Sequence, residues 1–257
     1  ALDAQTHPHL ATGAAASKFG IPIANLPEAL AALRAAGREP ASIGAHIGSA
    51  VESLEAFAEL ASRLADATAG LSSTTRIDLG GGLGTADPHA LADAVRPHLP
   101  HASRLILEPG RSLVADAGWL LTRVVRVQPR EGLTYLVADA GMTELIRPML
   151  YGAVHPVALV APGVPLAGDH GRVDLAGPIC EAGDVLARDL AQWLSADELA
   201  RAGTGAILAI GQAGAYGAAM ASVYNGRLRP AEAVVEGGEL RLARRRETLD
   251  DLLARDA

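Results

Sequence analysis

The sequence predicts an α/β segment followed by a mostly β one, and three observations carry that expectation. Up to about residue 115, short apolar runs alternate with amphipathic stretches at steps of about 30 residues, the size of a βα unit. Beyond that point the chain breaks into brief β-like runs punctuated by Gly, Pro and Asp. With 49% apolar and 20% charged residues among 257, it is long and apolar enough to bury one large core or two modest ones. The expected division is 1–115 and 116–257.

The first predicted element is a helix over 27–37 (PEALAALRAAG), closed by Gly37. The run SIGAHIGS (42–49) reads as a strand ending in glycine and serine. From Val51 to Ala69, Val51, Leu54, Phe57, Leu60 and Leu64 recur at spacings of three and four, which predicts an amphipathic helix. RIDLGGGLG (76–84) reads as a strand broken by glycines. Asp87 is the expected cap, and Pro88 the first residue, of the helix PHALADAVRPHL. RLILEPGRS (104–112) is the third strand. Farther on, LLTRVVRVQP, LTYLVADAG, HPVALVAP, GRVDLAGPI, AILAIGQAG and AEAVVEGGELRLARR are the β-like runs, with one helical interruption over 189–203.

A parallel βα series puts the residues that follow its strands on one face. Both a (β/α)8 barrel and a doubly wound sheet build their sites there. Three or four units are too few for eight strands and would leave open edges and bare apolar faces. The expectation is therefore that more chain precedes Ala1, or that a partner supplies it.

A net charge of −7 argues against nucleic-acid and anionic-membrane partners, which need a basic face. No apolar run approaches the roughly 20 residues of a membrane span. No basic, then apolar, leader opens the chain, so a cytoplasmic setting is expected. Cys180 is the sole cysteine, which rules out an intramolecular disulfide or a multi-cysteine metal site, and no metal is expected. Taken alone, such a cysteine reads as a small core residue. Lys18 is the only lysine among 22 basic residues.

Singly, the chemical motifs are weak. GGGLG is as well explained by a tight βα turn as by a phosphate loop. EPGR has the plainer reading of a Pro-Gly turn between surface charges, and His46 that of a histidine at a strand end. Their combination says more. Successive strand ends present His46 with Ser49, then Gly80, Gly81 and Gly82, then Glu108 with Arg111. A ring-stacking group, anion donors and a carboxylate together are what a phosphorylated aromatic cofactor requires.

In order along the chain stand THPHLATG, SKFGI, HIGS, IDLGGGLG, LEPGRSLVADAG, ADAGMTELIRPMLYGAVHP, GPICEAGD, AGAYGAAMASVYN and RRRETLDDLL. From about Thr6 to Leu253 this series resembles the diaminopimelate decarboxylases, pyridoxal 5'-phosphate enzymes of the alanine-racemase-like fold group that includes ornithine and arginine decarboxylases. The resemblance implies the C-terminal portion of a pyridoxal-phosphate-binding (β/α)8 barrel followed by a mostly β domain. It implies decarboxylation of meso-2,6-diaminopimelate to L-lysine and carbon dioxide, in lysine biosynthesis, by a homodimer with shared active sites.

Site residues follow from the same resemblance. His46 would stack on the pyridine ring, and Glu108 would pair with the ring nitrogen and keep it protonated. Ser49, Gly80, Gly81 and Gly82, with the turn Pro109–Gly110–Arg111, would cradle the phosphate. Arg111, Arg147 and Tyr151 would grip the distal carboxylate and neighbouring groups of the substrate, and Tyr216 would touch cofactor and substrate. Cys180 would donate the proton to the decarboxylated carbon, and Glu181 would read the distal ammonium, both from the second subunit. CEAGD favours diaminopimelate over ornithine.

The chain departs from the pattern at Ala182, where the family carries serine, at YNGRL (224–228) in place of YNSRP, and in the apolar setting of His46. The larger departure is the Schiff-base lysine, which the family carries on its first barrel strand, upstream of the matched segment. Lys18 belongs to SKFG, a separate motif, and arginine cannot replace a lysine there because its guanidinium stays protonated. The isolated chain is thus expected to be inactive. The alternatives are a related decarboxylase acting on another or a carrier-bound amino acid, and a non-catalytic regulatory homologue.

Overall fold

The computed structural model describes residues 18–69, 71, 76–84, 87–99, 104–168 and 170–254. The motif THPHLATG and Ser17 lie outside the described residues. Two compact units divide between Leu113 and Val114, where the sequence suggests a break after residue 115.

In the first unit, β1 (Ser42–Gly44), β2 (Arg76–Asp78) and β3 (Arg104–Ile106) form a parallel sheet in chain order. Helix α1 (Leu26–Ala35) precedes β1, α2 (Leu54–Thr68) links β1 to β2, and α3 (Pro88–Val95) links β2 to β3. The strands, three residues each, are shorter than the runs that suggested them. Gly44 lies opposite Asp78, and Asp78 opposite Ile106, so the three strands end level.

The helices follow from local chemistry. The Ser53 side chain accepts from the Ala56 N–H at 3.2 Å and starts α2. The stripe Phe57, Leu60 and Leu64 is buried, as its spacing predicts. Asp87 accepts from the His89 N–H at 2.9 Å, and Pro88 opens α3. Phe57 and Leu91, each 1% exposed, join Val51, Leu79 and Val95 in the core, and burial of such a side chain contributes about 1.5–3 kcal/mol. By contrast, α1 buries no residue. A one-turn helix, α4 (Arg111–Val114), follows β3.

The second unit is built on a six-stranded mixed sheet. Its strands are β4 (Leu120–Arg130), β5 (Leu133–Ala138), β6 (Val157–Ala161), β7 (Arg172–Ala176), β8 (Val185–Ala187) and β9 (Ile207–Ile210), in the spatial order β6-β9-β4-β5-β7-β8. All pairs are antiparallel except β5 with β7. Val124, Leu136, Leu145, Leu175, Leu186, Leu208 and Ile210 fill the core beneath it. Helix α5 (Arg147–Tyr151) lies between β5 and β6. The expected helix over 189–203 is a 3-10 turn at Leu190–Gln192 and α6 (Ala196–Ala200), started by a Ser195–Glu198 capping box. The run 231–245 is a hairpin of β10 (Glu232–Glu236) and β11 (Glu239–Arg244), turning at Gly237 and Gly238 with φ of 60° and 86°. Two successive positive φ values suit the twist of a tight hairpin. Helix α7 (Leu249–Leu253) follows. Among the described residues no helix is long and apolar enough to cross a membrane.

Candidate active site

Because the three strands of the first unit end level, His46, Gly80 and Glu108 each stand two residues beyond a strand end, at equivalent places. Backbone bonds extend the register past the strands. The Ala45 N–H donates to the Asp78 carbonyl at 3.0 Å, the Leu79 N–H to Ile106 at 3.1 Å, and the Glu108 N–H to Gly80 at 2.9 Å. The sheet thus delivers a histidine, a glycine turn and a carboxylate side by side, with His46 and Glu108 exposed.

The glycines are required by close approach. A Cβ on Gly81 would stand 2.5 Å from the Glu108 carbonyl oxygen, and one on Gly82 would overlap the Gly48 carbonyl oxygen at a φ of 86°. Their N–H groups are less free than the sequence suggests. Gly80 donates to the Asp78 carboxylate at 2.8 Å and Gly81 to His46 Nδ1 at 3.0 Å. Gly80 and Gly81 therefore shape the cradle and seat the histidine, with their donors turned inward. On the anion side stand the Ser49 hydroxyl and the Arg111 guanidinium, with Arg111 Nη2 donating to Ser49 Oγ at 3.2 Å across 62 residues of sequence. A hydroxyl and a planar cation beside a loop that only glycine can occupy is a donor set that fits a phosphate monoester. Pro109 and Gly110 shape the turn between Glu108 and Arg111, and the Leu113 N–H closes on the Gly110 carbonyl at 3.2 Å.

In the second unit Arg147 is buried at 5% exposure, its guanidinium 5.4 Å from the Tyr151 ring centre and 5.3 Å from that of Tyr216. Three expected substrate residues are thus brought together by stacking of a cation on two rings. Tyr216 takes a φ of 61°, a region that costs a non-glycine residue of order 1–3 kcal/mol and persists where surroundings hold it.

Cys180 and Glu181 are both exposed, on the loop between β7 and β8. That loop is organised by Asp184, 2% exposed, which sequence reasoning passed over. Its carboxylate accepts from the Met142 N–H at 2.7 Å and the Ile179 N–H at 2.8 Å, tying the loop to the one after β5. Burial pushes the Asp184 carboxyl above its ordinary value, against those two donors and Arg227 and with help from Glu144. Tyr224 was also missed as a site residue. Its hydroxyl donates to Glu181 Oε1 at 2.5 Å. Only its place in the YN motif pointed to it, since the contact spans 43 residues.

Lys18 is exposed, its ammonium 5.1 Å from the centre of the Phe19 ring. Among the described residues no cluster of three His, Cys, Asp or Glu side chains is placed to hold a metal ion.

Residues 23–214 match the family described as pyridoxal-dependent decarboxylase, C-terminal sheet domain. The chain is 44% identical over 256 residues to diaminopimelate decarboxylase of Deinococcus radiodurans, covering 99% of this chain and 64% of that protein. It is 42% identical to the Neisseria meningitidis serogroup A diaminopimelate decarboxylase, covering 99% and 63%. Among solved structures, diaminopimelate decarboxylase from Helicobacter pylori complexed with L-lysine superposes with a TM-score of 0.87 at 31% identity, covering 99% of this chain and 64% of that one. The arginine decarboxylase of Paramecium bursaria Chlorella virus shares the fold, with a TM-score of 0.66 at 19% identity, over 81% of this chain and 58% of that one. The chain thus spans less than two thirds of the length of these relatives.

Proposed function

Since the chain belongs to the pyridoxal-dependent decarboxylase family, we propose that the full-length polypeptide converts meso-2,6-diaminopimelate to L-lysine and carbon dioxide with pyridoxal 5'-phosphate as cofactor. The observation that carries this reading is the level presentation of His46, the glycine turn and Glu108 beside the Ser49–Arg111 pair. Bound pyridoxal phosphate supplies the sink for the electron pair left when a carboxylate departs as carbon dioxide.

Each residue then has a task. Ser49 and Arg111 would hold the phosphate, beside the turn that Gly82 lets pack against the Gly48 carbonyl. His46, seated by the Gly81 N–H, presents its ring face to the pyridine. Glu108 faces the ring nitrogen, and its negative charge keeps a proton there. Arg147, held against the rings of Tyr151 and Tyr216, offers a fixed cation to the distal carboxylate. Cys180 delivers the proton to the carbon that has lost its carboxylate, and Glu181 meets the distal ammonium. Their exposure suits residues that serve the active site of a second subunit in a homodimer. A single cysteine suits a reducing, cytoplasmic setting. The covalent anchor for the cofactor is a lysine outside this segment, because the chain holds only Lys18.

The test is product analysis with the purified full-length polypeptide and pyridoxal phosphate. Carbon dioxide and L-lysine are expected from meso-diaminopimelate, with ornithine and arginine left unchanged. Release from ornithine or arginine at the same rate would move the function to a related decarboxylase. No release from any amino acid, free or carrier-bound, would favour a regulatory homologue.

A further inference from the structure

The loop that presents Cys180 and Glu181 is held by a closed circuit of contacts. Asp184 ties it to Met142 at 2.7 Å. The Thr143 carbonyl accepts from the Ser222 N–H at 2.9 Å, and the Arg227 guanidinium reaches the Asp139 carbonyl and lies 3.7 Å from Glu144. Within the segment 222–227, strapped down in this way, Tyr224–Gly226 forms a 3-10 turn with Asn225 and Gly226 at φ of 56° and 69°. It carries Tyr224 back to Glu181, where the hydroxyl takes Oε1 at 2.5 Å. No other side-chain hydrogen bond to this carboxylate exists among the described residues, so Oε2 is left for another donor.

We propose that Tyr224 is a positioning residue that fixes the Glu181 carboxylate, so that its second oxygen meets the distal ammonium of a diamino acid. The inference rests on the proposed function and assigns part of its substrate selectivity to a residue that does not itself bind substrate. A glutamate on an exposed loop has three rotatable side-chain bonds, and a bond to a rigid phenol removes most of that freedom before substrate arrives. The contact is also legible in the phenol, whose ionisation the Glu181 carboxylate pushes above its ordinary value, with a smaller push from Cys180.

The experiment is Tyr224→Phe in the full-length holoenzyme, which keeps the ring and removes only the hydroxyl. KM for meso-diaminopimelate should rise about 10- to 150-fold, the size of one hydrogen bond to a charged group, with kcat within about twofold. The decarboxylation of 2-aminopimelate, which lacks the distal ammonium, should not change. In a Glu181→Gln background the Tyr224→Phe effect on KM should vanish. An equal loss on both substrates, or a fall in kcat alone, overturns the proposal. A second arm needs no turnover. The Tyr224 phenol, read as the difference between absorbance titrations of the parent protein and Tyr224→Phe, should ionise at lower pH once Glu181 is glutamine. An unmoved titration overturns the positioning role. A parent enzyme inert toward diaminopimelate but showing that shift would defeat the functional reading and leave the Tyr224–Glu181 coupling standing.

Discussion

The Gly81 N–H donates to Nδ1 of His46 at 3.0 Å, joining the end of one strand to the loop after the next. An acceptor at Nδ1 puts the proton of the neutral ring on Nε2 and fixes the ring edge against the glycine turn. Gly81→Ala would put a methyl 2.5 Å from the Glu108 carbonyl oxygen and in ordinary contact, 3.6 Å, with His46 Cε1, forcing the Glu108 backbone away from the glycine turn. The expected result is a loss of about 1–3 kcal/mol of stability and at least roughly tenfold weaker pyridoxal phosphate binding. A melt and a cofactor titration check it, and an alanine variant matching the parent in both would contradict it.

Asp184 is the buried hub of the Cys180 loop, and its two oxygens each accept a backbone N–H. In Asp184→Asn one amide –NH2 must face an N–H, which should cost about 1–3 kcal/mol. The carboxyl binds its proton more readily in the folded than in the unfolded state. Its contribution is therefore greatest below the unfolded value and declines as pH rises through the raised folded one. Denaturant melts should show the advantage of aspartate over asparagine shrinking as pH rises from about 4, the ordinary carboxyl value. An advantage that grows over that window would contradict the assignment.

Lys18 offers its ammonium to the Phe19 ring rather than to the strand ends. The 257-residue chain treated with pyridoxal phosphate and borohydride should yield no stoichiometric reduced adduct at Lys18. Peptide mapping by mass decides it, and a quantitative adduct there would make Lys18 the cofactor anchor.

How far the sequence could be read depends on how local each signal was. The α2 stripe of Phe57, Leu60 and Leu64, the Asp87–Pro88 start of α3 and the three strand ends needed only neighbours within one element, and all were legible. Three-residue β8 and five-residue α5 were too short for any period to show. The parallel pairing of β5 with β7 and the roles of Asp184 and Tyr224 depend on partners tens of residues away, which no local pattern encodes. At Gly80 and Gly81 the sequence showed that glycine was needed, but not that their N–H groups turn inward to Asp78 and His46.

At the C-terminal end, Arg245 meets Asp251 at 2.6 Å, and Asp251 also accepts from the Thr248 N–H at 2.7 Å. These partners hold the Asp251 carboxyl well below the usual carboxylate range. The folded value is depressed, so the support given to α7 is present above the unfolded carboxyl value and lost as pH falls through the folded one. Asp251→Asn should speed amide exchange at Leu252 and Ala254 at neutral pH while leaving the global melt unchanged. Unaltered exchange would mean that the cap contributes nothing.

In the proposed site Ser49, after β1, and Arg111, after β3, hold the phosphate of a pyridoxal cofactor. The most direct measurement compares binding of pyridoxal phosphate and phosphate-free pyridoxal to the full-length apoprotein, for the parent and for Ser49→Ala/Arg111→Ala. The parent should prefer the phosphate form by roughly 100-fold or more, as two charge-assisted contacts would give, and the double variant should lose most of that preference. Equal affinity of the parent for both forms, or an undiminished preference in the variant, would contradict the account.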